Sequence, residues 1–252
     1  METVAVIVPS EALAAATQII SSGEREGVRL RLLGGLAFKA LCRSAQEPEF
    51  RRENKDIDLM GRRQDTKRIM QIMETLGYRP REIFNKLNLG KRLIYHDSRN
   101  GRRVDIFLDE FEMCHKFKFK LTLLAHPLTL SITDLVITKL QVVEMTEKEF
   151  KDLAAAFNDY EVTADETGIN GERIAELCSR DWGIYRTFTW SLVRQRGSLG
   201  SLNGSSEKIA GEVDRLLGMI EGSPKTLSWK LRARIGESIR WYELPEADGD
   251  PS

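Results

Sequence analysis

Cysteine, histidine and proline are scarce in this 252-residue chain, at three, three and seven residues. The cysteines, Cys42, Cys114 and Cys178, are odd in number, widely spaced and without a CxxC pair. They offer no disulfide framework, so a reducing, cytoplasmic setting is expected. Cys114 adjoins His115 and His126 follows, but the spacing builds no zinc site; free thiols and histidines with structural roles are expected. Net charge is lacking too: 38 Lys and Arg face 38 Asp and Glu, so no global field drives the chain toward nucleic acid or a membrane. No apolar run approaches the ~20 residues of a membrane span. The TVAVIV run near the start is short and lacks the basic beginning of a signal peptide. A soluble protein with no membrane partner is expected. There is no internal repeat. Low complexity is confined to GSLGSLNGSS (197–206), expected as a flexible loop, and to the tail ELPEADGDPS, expected as an unpacked end.

What is present suits a globular protein of one large or two small domains, with 41% hydrophobic and 30% charged residues. The neutral total hides an asymmetry. Residues 51–120 hold 18 Lys and Arg against 11 Asp and Glu, a net of +7, and residues 121–180 hold 5 against 11, a net of −6. A basic stretch followed by an acidic one suggests a face that meets an anion.

The first half alternates between strand and helix patterns. Ser10 is placed to cap a helix through EALAAATQII. VRLRLL (28–33) alternates as a strand, Gly34-Gly35 breaks it, and LAFKALCR resumes with helical spacing. KDIDLM (55–60) reads as a second strand. In the helix that follows, Ile69, Ile72, Met73 and Leu76 share one face and Gly77 is the stop. RLIYHD (92–97) and RVDIFL (103–108) flank SRNGR, whose Asn-Gly pair is a strong hairpin signal. From Ser131 onward only helices are read, with Trp182, Trp190, Trp229 and Trp241 as packing anchors. The expected fold class is α+β, a mixed sheet with flanking helices followed by a C-terminal helical subdomain. Domains are expected at 1–130 and 131–252.

Three features carry candidate chemistry. Gly34-Gly35 lies between a strand and a helix, where backbone amides and a helix N-terminus can approach a phosphate, though steric need alone also explains glycine there. Asp56 and Asp58 alternate with Ile57 and Leu59, which turns both carboxylates to one face; a solvated strand face is the plainer explanation. Asp105 interrupts an apolar strand between Val104 and Ile106. If that strand lies beside the 55–60 strand, three carboxylates converge, a donor set for a hard divalent cation such as Mg²⁺. Two such ions can clamp the attacking and leaving oxygens of a nucleotidyl transfer. Of the basic residues around these strands (Arg51, Arg52, Lys55, Arg62, Arg63, Lys91, Arg92, Arg102 and Arg103) most are expected to be solvated. Tyr95 and Phe84 could stack a base, but an aromatic on a strand is more often core.

The order Gly-Gly, Asp-x-Asp in DIDL and a single aspartate in VDIF resembles the nucleotidyltransferase fold of the polymerase-beta type. The DIDL-helix-LGY stretch is similar to small antibiotic nucleotidyltransferases. TDLVITKLQVVEMTEKEFKDLAAAF looks like the helical segment of AbiEii/AbiGii-type toxin nucleotidyltransferases. The match spans about residues 30–158. In that family the glycine pair usually stands closer to the first aspartate, whereas here Asp56 lies 21 positions after Gly35. The surplus, SAQEPEFRREN, is expected as an inserted surface loop.

The resemblance implies Mg²⁺, two ions bound by Asp56, Asp58 and Asp105, and a nucleoside triphosphate such as ATP held by Gly34 and Gly35. It implies Lys139 on a nucleotide phosphate with Asp152 assisting, although a snorkelling surface lysine and an i,i+4 surface pair are the plainer readings. The implied activity moves a nucleoside monophosphate to an acceptor hydroxyl on a small molecule, an RNA or a protein, with pyrophosphate released. An antitoxin partner is a further implication. The alternative is a non-catalytic module that binds a nucleotide or partner, and a third reading is a helical scaffold whose acidic motifs are only strands.

Overall fold

The computed structural model describes residues 10–119, 126–201 and 204–244. Most of the tail, the TVAVIV run and two positions of GSLGSLNGSS fall outside them. The contacts divide the chain into two units. One holds Met1–Ala40, Glu53–Asp109 and Lys120–Leu130; the other holds Leu41–Arg52, Glu110–Phe119 and Ser131–Ser252.

The first unit is built on a mixed five-stranded sheet. Its elements are α1 (Glu11–Arg25), β1 (Arg31–Leu33), α2 (Gly34–Leu41, which runs one residue into the other unit), β2 (Ile57–Gly61), α3 (Thr66–Thr75), β3 (Tyr78–Pro80), α4 (Glu82–Leu87), β4 (Arg92–Asp97) and β5 (Arg103–Leu108). Ser10 caps α1 by accepting from the Leu13 amide at 3.4 Å. The sheet order is β1-β2-β5-β4-β3, with β2 parallel to β5 and the other pairs antiparallel. The Asn-Gly turn closes the β4–β5 hairpin: Gly101 takes φ +71° and the Asp97 amide donates to the Arg102 carbonyl at 2.8 Å.

The parallel pair decides the rest. Joining β2 to β5 in parallel needs a crossover, which α3, β3, α4 and β4 supply. Ile57, Leu59, Val104 and Ile106 lie on one face of this pair and are fully buried. Asp58, Met60, Asp105 and Phe107 lie on the other.

The second unit is mostly helical: α5 (Ile132–Leu140), α6 (Glu147–Asp159), α7 (Gly171–Arg180), α8 (Trp182–Gly197), α9 (Ser206–Gly222) and α10 (Leu227–Ile235). Ser131, Asn170, Asp181 and Thr226 cap α5, α7, α8 and α10, and Thr146 with Glu149 forms a capping box on α6. Helices alone do not fill the chain after Ser131. Val162–Thr163 (β8) pairs in parallel with Ile169–Asn170 (β9), strands too short to show an alternation. A further hairpin, β6 (Glu110–Glu112) and β7 (Lys116–Lys118), belongs to this unit. Trp182 meets Trp241 edge-on at 5.7 Å and Trp229 meets Tyr185 at 5.1 Å, as packing anchors do. Trp190 differs: it is 39% exposed, with the Arg186 guanidinium 5.9 Å from its ring.

The segment expected as a surface loop is instead pinned. The Ser44 amide donates to Asp159 on α6 at 2.9 Å, Phe50 is buried, and Arg52 forks onto Asp152. Its polar composition concealed one buried aromatic and two polar anchors to a helix far along the chain.

Candidate active site

The sheet brings two of the three expected carboxylates together. Asp58 of β2 and Asp105 of β5 are register partners on adjacent parallel strands, so their side chains project from the same face. Asp56 does not share that placement. β2 begins at Ile57, and Asp56 sits on a bend before it, exposed. The alternation read through KDIDLM therefore stops one residue short of the first aspartate.

Gly34 begins α2 directly after β1, whose Leu33 is the register partner of Asp58. It takes φ +65°, and a Cβ there would overlap Asp58 Oδ2 and come within 3.0 Å of Asp58 Cγ. Glycine is thus required twice at this position, for its backbone conformation and for the carboxylate packed against it. Gly35 follows, buried in the first turn.

Asp105 is 3% exposed and is clasped by two arginines. Arg92 donates from Nε at 3.0 Å and reaches with Nη2 to 2.9 Å of Oδ1; Arg103 has Nε 2.7 Å from Oδ2 and Nη2 3.3 Å from Oδ1. Strand register explains both. Arg103 stands two residues before Asp105 on the same face, and Arg92 is opposite Phe107 on β4, diagonal to Asp105. The Arg92 guanidinium also lies 4.9 Å from the Phe107 ring centroid and 5.7 Å from that of Phe84. These two arginines are not solvated surface charges: their side chains are 27% and 24% exposed. The i,i+2 spacing of Arg103 and Asp105 was visible in the sequence; the reach of Arg92 depended on the hairpin register. Arg51, Lys55, Arg63 and Lys91 are exposed, as expected of most of the basic stretch. Tyr95 is core, 2% exposed, and burial pushes its hydroxyl up to about 12.

The donor set suits a hard divalent cation in kind, being carboxylates beside a cradle that a Cβ would fill. It is not assembled for one as the side chains stand. Among the described residues, no group of three or more His, Cys, Asp and Glu is positioned to hold a metal ion. The physical reason is local: the arginine pair occupies Asp105, and Asp56 lies off the strand.

In the second unit, Lys139 and Asp152 are brought to each other. Lys139 Nζ is 2.9 Å from Asp152 Oδ2 and 3.6 Å from Glu149 Oε1, while Arg52 forks onto Asp152 at 2.7 and 2.8 Å. Lys139 is 12% exposed and Asp152 5%, so neither the snorkelling lysine nor the surface i,i+4 pair is what the fold builds. Burial alone would raise the Glu149 carboxyl, but Lys139 and hydrogen bonds with Thr146 hold it below its ordinary value.

The thiols, His115 and His126 take structural places. All three cysteines are free and buried, and burial raises each thiol above its ordinary value. His126 Nδ1 accepts from the Leu128 and Thr129 amides at 3.2 and 3.1 Å; His115 Nε2 lies 2.8 Å from Thr187 Oγ1. Burial lowers both imidazoles.

No helix among the described residues is long and apolar enough to cross a membrane. No family model matches the chain, and no curated protein matches it. Among solved structures, the chain is similar to a crystal structure of ANT(2″)-Ia in complex with adenylyl-2″-tobramycin, at 15% identity and a TM-score of 0.40 over 57% of this chain and 86% of that one. It is also similar to a solution structure of the antibiotic-resistance factor ANT(2″)-Ia, at 13% identity and a TM-score of 0.38 over 83% and 94%. Likeness this distant carries no argument about activity; the mixed α+β architecture stands on the chain's own sheet and helices.

Proposed function

We propose that this chain is a nucleotidyltransferase that moves a nucleoside monophosphate from a nucleoside triphosphate to an acceptor hydroxyl and releases pyrophosphate. The observation that carries the reading is the placement of Asp58 and Asp105 side by side on parallel strands, next to a glycine that only a bare backbone can occupy. The motif order read from the sequence points the same way.

In this reading, the backbone amides of Gly34 and Gly35 face the terminal phosphates of the triphosphate, where the absent side chain permits close approach. Asp58 and Asp105, with Asp56 alongside, would hold Mg²⁺, which supplies charge neutralisation at the phosphoryl oxygens. Asp105 takes the proton of the acceptor hydroxyl as its oxygen attacks the α-phosphorus in line. The bond from that phosphorus to the bridging oxygen breaks, and pyrophosphate carries away the electron pair. Arg92 and Arg103 offset the charge that builds on the leaving group. The acceptor class, whether small molecule, RNA or protein, is what the test must name, and an antitoxin partner would be recognised as a protein that blocks the reaction.

The test is transfer of label from each of the four α-labelled triphosphates to RNA, protein and small-molecule fractions, beside Asp58→Asn. Label in one fraction, lost by orders of magnitude in the variant, is expected. Undiminished turnover by Asp58→Asn overturns the assignment. A second reading, a binding module without turnover, is favoured by one observation: Asp105 is closed by arginines. Nucleotide binding with no pyrophosphate release would select it.

A further inference from the structure

We propose that Arg92 and Arg103 form an anion subsite for a triphosphate, and that Asp105 becomes available to a divalent cation only when such an anion draws these arginines away. The triphosphate as the anion, and the cation itself, rest on the nucleotidyl-transfer reading; the exclusion between arginine and cation rests on the geometry alone.

Both oxygens of Asp105 are contacted by guanidinium nitrogens, Oδ1 by Arg92 and Arg103 and Oδ2 by Arg103. A Mg²⁺ ligated by either oxygen would stand about 2.1 Å from it, against two cations bonded to the same carboxylate. In a site where Asp105 is almost wholly buried, repulsion of that kind is poorly screened. Arginine and metal therefore compete for one partner.

The arginines are built to make the exchange. Arg92 lies over the Phe107 ring at 4.9 Å and near Phe84 at 5.7 Å, so the guanidinium plane is held by packing even when its fork changes partner. About a quarter of each arginine side chain is open to solvent, enough for an anion to reach. The planar fork that grips a carboxylate matches phosphate equally well. By linkage, an anion that binds these arginines must raise the affinity for the cation by the same factor that the cation raises its own.

The experiment measures two affinities separately, so that chelation in solution does not enter. The first is Mn²⁺ alone, followed by electron paramagnetic resonance, on the full chain and on Arg92→Gln and Arg103→Gln. Each variant should bind Mn²⁺ at least tenfold tighter than the parent, and adding Asp105→Asn to either should abolish the gain. The second is inorganic tripolyphosphate in metal-free buffer, followed by calorimetry, which the parent should bind at least tenfold tighter than either variant. Arg92→Lys, which keeps the charge but loses the planar fork, should fall between and guards against a variant that fails to fold. Variants that bind Mn²⁺ no tighter than the parent, or tripolyphosphate as tightly, overturn the proposal. Label transfer by a parent whose variants show neither change would sink this inference and leave the proposed function standing. Both affinity changes without any transfer would do the reverse.

Discussion

Arg52 and Asp152 stand one hundred positions apart in the chain and meet fork to fork, at 2.7 and 2.8 Å, with Lys139 Nζ 2.9 Å from Oδ2, the oxygen that Arg52 Nη2 also reaches. A buried carboxylate between two cations is tolerated because each charge faces an opposite one, and removing the carboxylate takes from Arg52 and Lys139 the partner they share.

Asp152→Ala should therefore destabilise the chain by about 3–5 kcal/mol, since Arg52 and Lys139 would stay largely buried without their carboxylate. Equilibrium urea denaturation checks the figure. A loss below about 1 kcal/mol would place the cluster among pairs that contribute little.

Arg52→Ala should act differently. Asp152 keeps Lys139, so the global loss is smaller, while residues 44–52 lose one of their anchors to α6. Hydrogen exchange should rise across that segment more than across α6 itself. Uniform change in both would contradict the pinned-segment description.

Gly34→Ala combines a left-handed backbone with an overlap on Asp58. About 1–3 kcal/mol of strain is expected, with loss of label transfer exceeding the loss of folded protein. Retained transfer would mean that the carboxylate can shift without consequence. Thermal melting and turnover measured on the same preparation separate the two effects.

His115 and His126 both sit below the ordinary imidazole value of 6.5, chiefly through burial, with Arg31 adding to the effect at His126. Folding thus favours the neutral rings. The stability they contribute is complete above about pH 6.5 and falls away as the pH drops through the lowered values. Stability measured from pH 8 to pH 5 should decline, and His126→Asn should decline less steeply. An unchanged slope in that variant would remove His126 from the account.

Local pattern carried most of the elements. The β4 and β5 boundaries, the Asn-Gly hairpin, the Ser10 cap and the α7 helix were all legible, because each depends on neighbours within a few residues: side-chain alternation, a turn that needs positive φ, an oxygen for a free amide. The same alternation placed Asp105 opposite its apolar neighbours. It misplaced Asp56, since nothing in KDIDLM marks where pairing with β5 begins, and the strand starts one residue later.

What short-range pattern could not supply was partnership. The snorkelling surface lysine weighed for Lys139 gives way to a buried ion pair with Asp152; SAQEPEFRREN read as an inserted loop and is tied to α6; Arg92 read as one of a mostly solvated basic set and clasps Asp105. Charge pairs across tens of residues leave no periodicity in the chain. Which carboxylate meets which guanidinium is decided by strand order and helix packing, and in this protein strand register puts two arginines on Asp105.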